Sequence, residues 1–267
     1  MALLTLSNIH KTFEKGTVNE NHVLRGLDLE IEQGDFISVI GGNGAGKSTL
    51  MNSIAGVVTV DEGDILLEGE SIRKASVAQR SQHISRVFQD PRMGTATNLS
   101  IEENMAIAYL RGKKRSIFKK SVTEKDREIF KAALSELGLG LENRLKTDAA
   151  FLSGGQRQAL TLAMATLVRP KVLLLDEHTA ALDPKTSDMV MGLTKKVVEE
   201  HKLTTLMITH NMEHAIEYGN RLVMLYHGKI VVDVKGEEKK NLTVAQLMDL
   251  FHKNSGQVLN DDALVLG

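Results

Sequence analysis

The sequence predicts an α/β protein in which an antiparallel β layer leads into a parallel sheet and a block of helices is inserted into that sheet's chain path. Three observations carry this reading. Short β-type runs fill the first third of the chain, helical periodicity takes over from about residue 98 to residue 170, and apolar strand runs alternate with an amphipathic stretch after that.

In the first third, "LLTLSNI", "VLRGLDLEI", "DFISVIG" and "GDILLEG" are separated by Gly and Asp turn signals, which gives an antiparallel layer and then a buried strand. In the middle, "SIEENMAIAYL" and "TEKDREIFKAALSELGLG" space their apolar residues at helix period, and "GLG" closes the second helix. Between them "RGKKRSIFKK", residues 111–120, packs six basic residues around Ile117 and Phe118. A solvated loop is the first reading of it and contact with anionic lipid or a membrane partner the second. It is too short and too poor in aromatics for a nucleic-acid surface. After Pro170, "KVLLLDE", "TTLMITH" and "RLVMLYHGKIVVDV" read as apolar strand runs of a parallel sheet, with "DPKTSDMVMGLTKKVVEEHK" as the crossover helix. "LTVAQLMDLF" reads as a short docking helix before a polar, mobile tail. The expected division is one domain over residues 1–240, with a helical subdomain inserted at about 91–165, and a C-terminal helix and tail over 241–267.

Composition narrows the function classes. Apolar residues make up 42% of the 267, enough for an ordinary core. Lys plus Arg (33) balance Asp plus Glu (34), so a net charge of −1 gives no global pull toward nucleic acid, and no nucleic-acid partner is expected. With no cysteine, disulfides, thiolate metal sites and cysteine nucleophiles are excluded. The N-terminus has no basic segment followed by a sustained apolar one, and no apolar run approaches the ~20 residues of a membrane span. If the protein works on a membrane, another chain spans it.

Three motifs carry chemistry. "GGNGAGKST" (Gly41, Gly42, Asn43, Gly44, Ala45, Gly46, Lys47, Ser48, Thr49) matches the phosphate-binding loop G-x-x-x-x-G-K-[ST] between an apolar strand and a helix. Its glycines let successive amides turn inward on phosphate oxygens, Lys47 reaches the β- and γ-phosphates, and Ser48 coordinates Mg²⁺, so the core is expected to be of the P-loop NTPase type. "KVLLLDEH" ends a buried strand in two carboxylates: Asp176 is placed to hold the Mg²⁺ through its water shell and Glu177 to take a proton from an attacking water. "LSGGQ" offers the Ser153 hydroxyl and the amides of Gly154 and Gly155 at a helix start, an anion site with no catalytic side chain; a capped turn is the local alternative.

These motifs, in this order, resemble the nucleotide-binding subunit of ABC transporters, from the first strand to "VVDV". The resemblance implies an ABC ATPase fold, with the P-loop core, an antiparallel β subdomain and an inserted α-helical subdomain. It implies that Ser153, Gly154, Gly155 and Gln156 grip the γ-phosphate of ATP on the other protomer of a homodimer, and that Asp183, in "AALDP", lies on the loop running between protomers. Phe13, in "HKTF", matches the residue that stacks on adenine, with a strand-end core phenylalanine as its alternative. Gln89, in "VFQDP", matches the glutamine touching Mg²⁺ and the attacking water, and His210, in "MITHN", the histidine bonded to the γ-phosphate. Two residues depart from the family pattern: His178 stands where proline is usual, beside the acidic pair and able to titrate between pH 5 and 8, and Ala181 where serine is common. "DEHTAALDPKT" and "SGGQRQALTLAMATLVRP" look most like ATPase subunits of bacterial importers for small organic solutes such as amino acids. This implies a permease, an extracytoplasmic solute-binding protein, and a place on the cytoplasmic face of the plasma membrane. An exporter ATPase and a soluble ABC-type ATPase of a macromolecular assembly are the rival readings. A small-molecule kinase would leave LSGGQ and His210 without a purpose.

Overall fold

The computed structural model describes residues 2–113 and 122–255. It divides into two compact units, residues 1–80 with 204–267, and residues 81–203. The tail beyond residue 255 and positions 114–121 lie outside the described residues.

The first unit opens with β1 (Ala2–Phe13), β2 (Asn21–Glu32), β3 (Phe36–Ile40), α1 (Lys47–Ala55), β4 (Glu62–Leu67), β5 (Glu70–Ser71) and α2 (Val77–Arg80). The second holds β6 (Ile84–Val87), α3 (Ile101–Tyr109), α4 (Glu124–Ser135), α5 (Gly154–Leu167), β7 (Val172–Asp176) and α6 (Pro184–Glu200). The chain then returns to the first unit with β8 (Thr204–Ile208), α7 (Met212–Glu217), β9 (Arg221–Tyr226), β10 (Lys229–Lys235), α8 (Glu237–Lys240) and α9 (Val244–Ser255).

In the first unit an antiparallel sheet runs in the order β2-β1-β4-β5. Strict alternation from Leu4 and Leu6 would send Asn8 inward. A bulge prevents this: the β1–β2 register slips between Leu6 and Ile9, Asn8 takes φ 49°, and its amide bonds Asp28 Oδ1 at 2.7 Å. Ile9 is fully buried instead. Beside this layer, β3 pairs in parallel with both β8 and β9, and β3 and β8 are buried at every position, as strands covered on both faces must be. The run "RLVMLYHGKIVVDV" is a hairpin, not one parallel strand: β10 returns antiparallel to β9 through His227 (φ 45°) and Gly228 (φ 77°). Two successive left-handed residues are what a tight hairpin turn requires.

Helices α7 and α9 close the far side of that sheet, where Leu222, Met224, Val232, Leu247 and Phe251 form one apolar cluster. Lys239 is buried there, and its ammonium donates to the carbonyls of Ile216 (2.6 Å), Tyr218 (2.9 Å) and Gly219 (3.0 Å), satisfying the C-terminal end of α7. Burial pulls its pKa down to about 8.

In the second unit β6 and β7 are parallel neighbours, and α5 packs on β6, α3, α4 and α6. Arg127 of α4 donates to Glu102 of α3 at 2.7 Å, and Tyr109 meets Phe130 edge-on at 5.9 Å. Arg111, the first residue of the basic run, turns inward: it donates to Ser85 and, at 3.0 Å, to the Ala165 carbonyl. Lys113 lies over the Tyr109 ring at 3.4 Å. The rest of the run is outside the described residues.

Candidate nucleotide site

The phosphate loop of the first unit is built by close backbone approach. Gly41 has φ 152°, and a Cβ there would sit 2.3 Å from the Leu225 carbonyl oxygen; Gly46 has φ 105° and would push its Cβ to 3.0 Å from Leu24 and 3.2 Å from the Val23 carbonyl. Only glycine fits at these two positions without displacing β2 or β9. The loop is braced by Ala45 N–H to Gly42 O (3.2 Å) and Gly228 N–H to Ala45 O (3.1 Å). Lys47 is buried, and its Nζ donates to the carbonyls of Gly41 (2.6 Å) and Gly42 (3.2 Å), so the cation is held within the curl of the loop. Helix α1 starts from Gly46 with no side-chain cap and no acidic residue in its first turn. Its positive end is therefore uncompensated by the chain itself. Ser48 is exposed on the first turn of α1, beside Thr49.

Two other expected residues belong to this unit. Phe13 ends β1 with its side chain 37% exposed, so the strand-end core reading does not hold, and Lys11 Nζ lies 5.3 Å from its ring. His210 is exposed just past the buried strand β8, where Asn211 caps α7 by accepting from His214 N–H at 2.9 Å.

The second unit carries the acidic pair. Four buried residues of β7 deliver Asp176, half-buried, to the strand's carboxyl end. Glu177 follows in the left-handed region at φ 46°, a strained conformation for a glutamate, fixed by its carbonyl accepting from Ala180 N–H at 2.9 Å. His178 is 2% exposed. Its Nε2 lies 2.9 Å from Thr194 Oγ1, and that hydroxyl already donates to the Val190 carbonyl at 2.9 Å. The hydroxyl has one proton, so Nε2 must be the donor. The residue in place of the family's proline thus ties the turn after the acidic pair to α6.

Gln89 is exposed beyond β6. The segment just after β6 is held by Gln158, fully buried in α5, which donates to the Phe88 carbonyl at 3.2 Å. In "LSGGQ", Ser153 caps α5 in a complete capping box: Ser153 Oγ accepts from Gln156 N–H and Gln156 Oε1 accepts from Ser153 N–H, each at 3.2 Å. The capped-turn reading is therefore correct locally, yet Ser153 and Gly154 remain exposed. The glycines also admit α6: a Cβ on Gly155 would meet Thr186 Cγ2 at 2.4 Å, and one on Gly154 would meet Leu182 Cδ2 at 3.2 Å. So the structure brings the LSGGQ helix start against the Asp183 loop. Asp183 caps α6 through Thr186 N–H at 3.1 Å, and bonds from the Thr186 side chain and amide hold its carboxyl below the usual range.

The proposed metal donors, Ser48, Gln89 and Asp176, supply hydroxyl, amide and carboxylate oxygens. Hard oxygen donors without sulfur or imidazole suit Mg²⁺. Arg86, Gln158 and Thr186 were missed by the sequence reading. Only Arg86 leaves a trace, a cation inside the apolar strand "HISRVF".

The sequence matches the ABC transporter family model over residues 24–180. The chain belongs to the ABC transporter family. It is 45% identical to the tyrosine transport ATP-binding protein of Clostridioides difficile, covering 93% of this chain and 98% of that one. It is 33% identical to a phosphonates import ATP-binding protein of Lactobacillus johnsonii (98% and 100% covered) and 31% identical to a bacitracin export ATP-binding protein of Halalkalibacterium halodurans (93% and 95%). Among solved structures, a dimeric post-hydrolysis ATP-binding cassette bound to ADP and Pi matches with TM-score 0.74 at 28% identity, covering 87% of this chain and 98% of that one. The ADP conformation of an ATP-binding cassette of an ABC transporter matches with TM-score 0.75 at 27% identity (94% and 98%). The fold is that of an ABC ATPase with a P-loop NTPase core, and the chain is an ATP-binding, ATP-hydrolysing subunit of an ABC transporter. Such subunits act with membrane permease components, and no described helix here is long and apolar enough to cross a membrane.

Proposed function

We propose that this ATPase drives import of a small organic solute, most specifically an amino acid, through a separate permease fed by an extracytoplasmic solute-binding protein. The observation that carries this is the 45% identity, over nearly the whole of both chains, to a tyrosine transport ATP-binding protein. The 31% identity to a bacitracin export protein supports the runner-up, an exporter ATPase. The ATPase works as a homodimer on the cytoplasmic face of the membrane.

In this reading the amides of Gly42 to Lys47 and the Lys47 ammonium bind the β- and γ-phosphates, and Phe13 stacks on the adenine. Ser48, Gln89 and Asp176 hold Mg²⁺, which when bound offsets phosphate charge. Glu177 accepts a proton from the attacking water, Gln89 orients that water, and His210 donates to the γ-phosphate. Ser153, Gly154, Gly155 and Gln156 grip the γ-phosphate held by the other copy, and Asp183 borders the same dimer face. The test is reconstitution with a candidate permease and binding protein in proteoliposomes. ATP-dependent uptake of an amino acid that requires a binding protein supports import; ATP-driven efflux without one makes the exporter reading correct.

A further inference from the structure

Strand β6 carries a charge where a buried strand has no packing use for one. Ile84, Ser85 and Val87 are buried, and Arg86 between them points its guanidinium at the Asp176 carboxylate, each side chain 15% exposed. The pairing follows from strand register. Arg86 lies opposite Leu174 in the parallel β6–β7 ladder, and Asp176 is two residues on, so it shares that face and the diagonal is within reach of a long side chain. The guanidinium carbon also sits 4.8 Å from the Phe88 ring centroid. Phe88 is the residue before Gln89, and Gln158 donates to its carbonyl at 3.2 Å. One cation thus links the end of β7, which carries Asp176, to the end of β6, which carries Gln89.

We infer that Arg86 is a positioning residue for the divalent metal: its guanidinium holds the Asp176 carboxylate and the lead-in to Gln89 in place, and neutralises Asp176 until a metal enters. This rests on the reading of Asp176 as a metal ligand. A divalent ion arriving alone meets a carboxylate already paired with a cation, and its own charge is repelled by that cation. A metal arriving with the negatively charged phosphates of a nucleotide is not opposed in the same way. Metal and nucleotide affinities are therefore coupled, and by linkage the coupling is reciprocal.

The experiment titrates Mn²⁺ into nucleotide-free protein and follows free Mn²⁺ by electron paramagnetic resonance, with circular dichroism to establish folding. Arg86→Gln removes the charge and is expected to tighten Mn²⁺ binding roughly five-fold or more. It should also narrow the difference in Mn²⁺ affinity measured with and without ATP. Arg86→Lys keeps the charge and should stay near wild type. A folded Arg86→Gln protein that binds Mn²⁺ as wild type does overturns the proposal. Should that variant not fold, the wild-type Arg86 Nε–H resonance, assigned with Arg86→Lys, must shift when Mg²⁺ is added to the ADP complex, and an unmoved resonance overturns the proposal equally. Asp176→Asn separates the two readings. If it binds Mn²⁺ like wild type, Asp176 is no ligand; if it loses Mn²⁺ while Arg86→Gln changes nothing, only the role of Arg86 falls.

Discussion

Helices α3, α4 and α5 open on the same capping box, and the third differs from the other two in one functional group. Ser100 pairs with Glu103 and Thr123 with Asp126, so a carboxylate closes each box and also accepts the cap hydroxyl's proton at 2.7 Å. In α5 the closing residue is Gln156, a neutral amide, and among the described residues the Ser153 hydroxyl makes no corresponding donation. The Ser100 hydroxyl and amide hold Glu103 below the usual carboxylate range, so that box stays charged at neutral pH. A carboxylate at a helix start answers the helix dipole from within the chain, whereas an amide leaves the dipole and a hydroxyl for an outside anion. Helix α1 goes one step further, with no side-chain cap and no acid. Among α1, α3, α4 and α5, the two helix starts that belong to nucleotide motifs are the two without a negative charge of their own. Helices α2 and α9 also open on neutral pairs, Ser76 with Gln79 and Thr243 with Gln246, but there the cap hydroxyl donates to the glutamine Oε1 at 3.0 Å.

The largest expected effect separates holding phosphate from hydrolysing it. Glu177→Gln leaves both neutral helix starts intact and removes only the proton acceptor, so turnover should fall ~10²- to 10⁴-fold with nucleotide binding retained. Equilibrium ATP binding and steady-state phosphate release measure the two halves, and near-normal turnover would take Glu177 out of the role. ATP should also trap this variant as a stable dimer.

Next comes the question of whose phosphate each start holds. Lys47→Ala spoils the loop before α1, and Ser153→Arg blocks the start of α5; each homodimer should be almost inactive. Mixed, purified heterodimers rebuild one intact loop facing one intact LSGGQ, so ATPase activity should partly return when assayed with the permease. Heterodimers of wild type with a chain carrying both changes have no complete site and serve as the control. Rescue absent from heterodimers that form and bind ATP would count against the trans assignment, and crosslinking of positions 153 and 42 across protomers would show whether the geometry or a need for two sites is at fault.

A smaller effect is expected where α5 meets α6. Gly155→Ala places a Cβ 2.4 Å from Thr186 Cγ2, and relieving that overlap should cost about 1–3 kcal/mol of stability, read by denaturant unfolding. An unchanged midpoint would mean the two helix starts are not packed tightly enough to move together.

Much of this was legible in the sequence because the motifs act through backbone shape. Gly41 and Gly46 mark positions that tolerate no side chain, and Ser153 with Gln156 spells a capping box within four residues. What could not be read acts across long sequence separations. Arg86 finds Asp176 ninety residues on and Gln158 finds Phe88 seventy residues back, pairings set by strand register and helix packing that no local pattern encodes. The β9–β10 hairpin was hidden for a different reason: its turn is only His227 and Gly228, and the left-handed conformation of a histidine has no strong sequence mark. His178 illustrates a third case, since sequence flagged it as unusual but only the fold shows its ring buried against Thr194.

The subtlest prediction tests the single functional group that sets α5 apart from α3 and α4. Gln156→Glu preserves the length of the side chain and the capping box, and an acid at this position of a first turn suits the helix dipole, so the melting temperature should hold or rise slightly. The same change puts a negative charge beside the helix start that is proposed to receive a phosphate. Like charges a few ångströms apart at a partly solvated site repel by roughly the energy of a ten-fold change in affinity, so ATPase activity should drop about ten-fold and ATP-driven dimerisation should weaken. Because repulsion between charges is screened, the deficit should shrink as salt is raised, which simple damage to packing would not do. The reciprocal change, Glu103→Gln in α3, gives that helix the neutral box of α5 and should leave ATPase activity where it was. If Gln156→Glu is as active as wild type, the start of α5 is only a capped turn and the neutrality of its box has no bearing on phosphate.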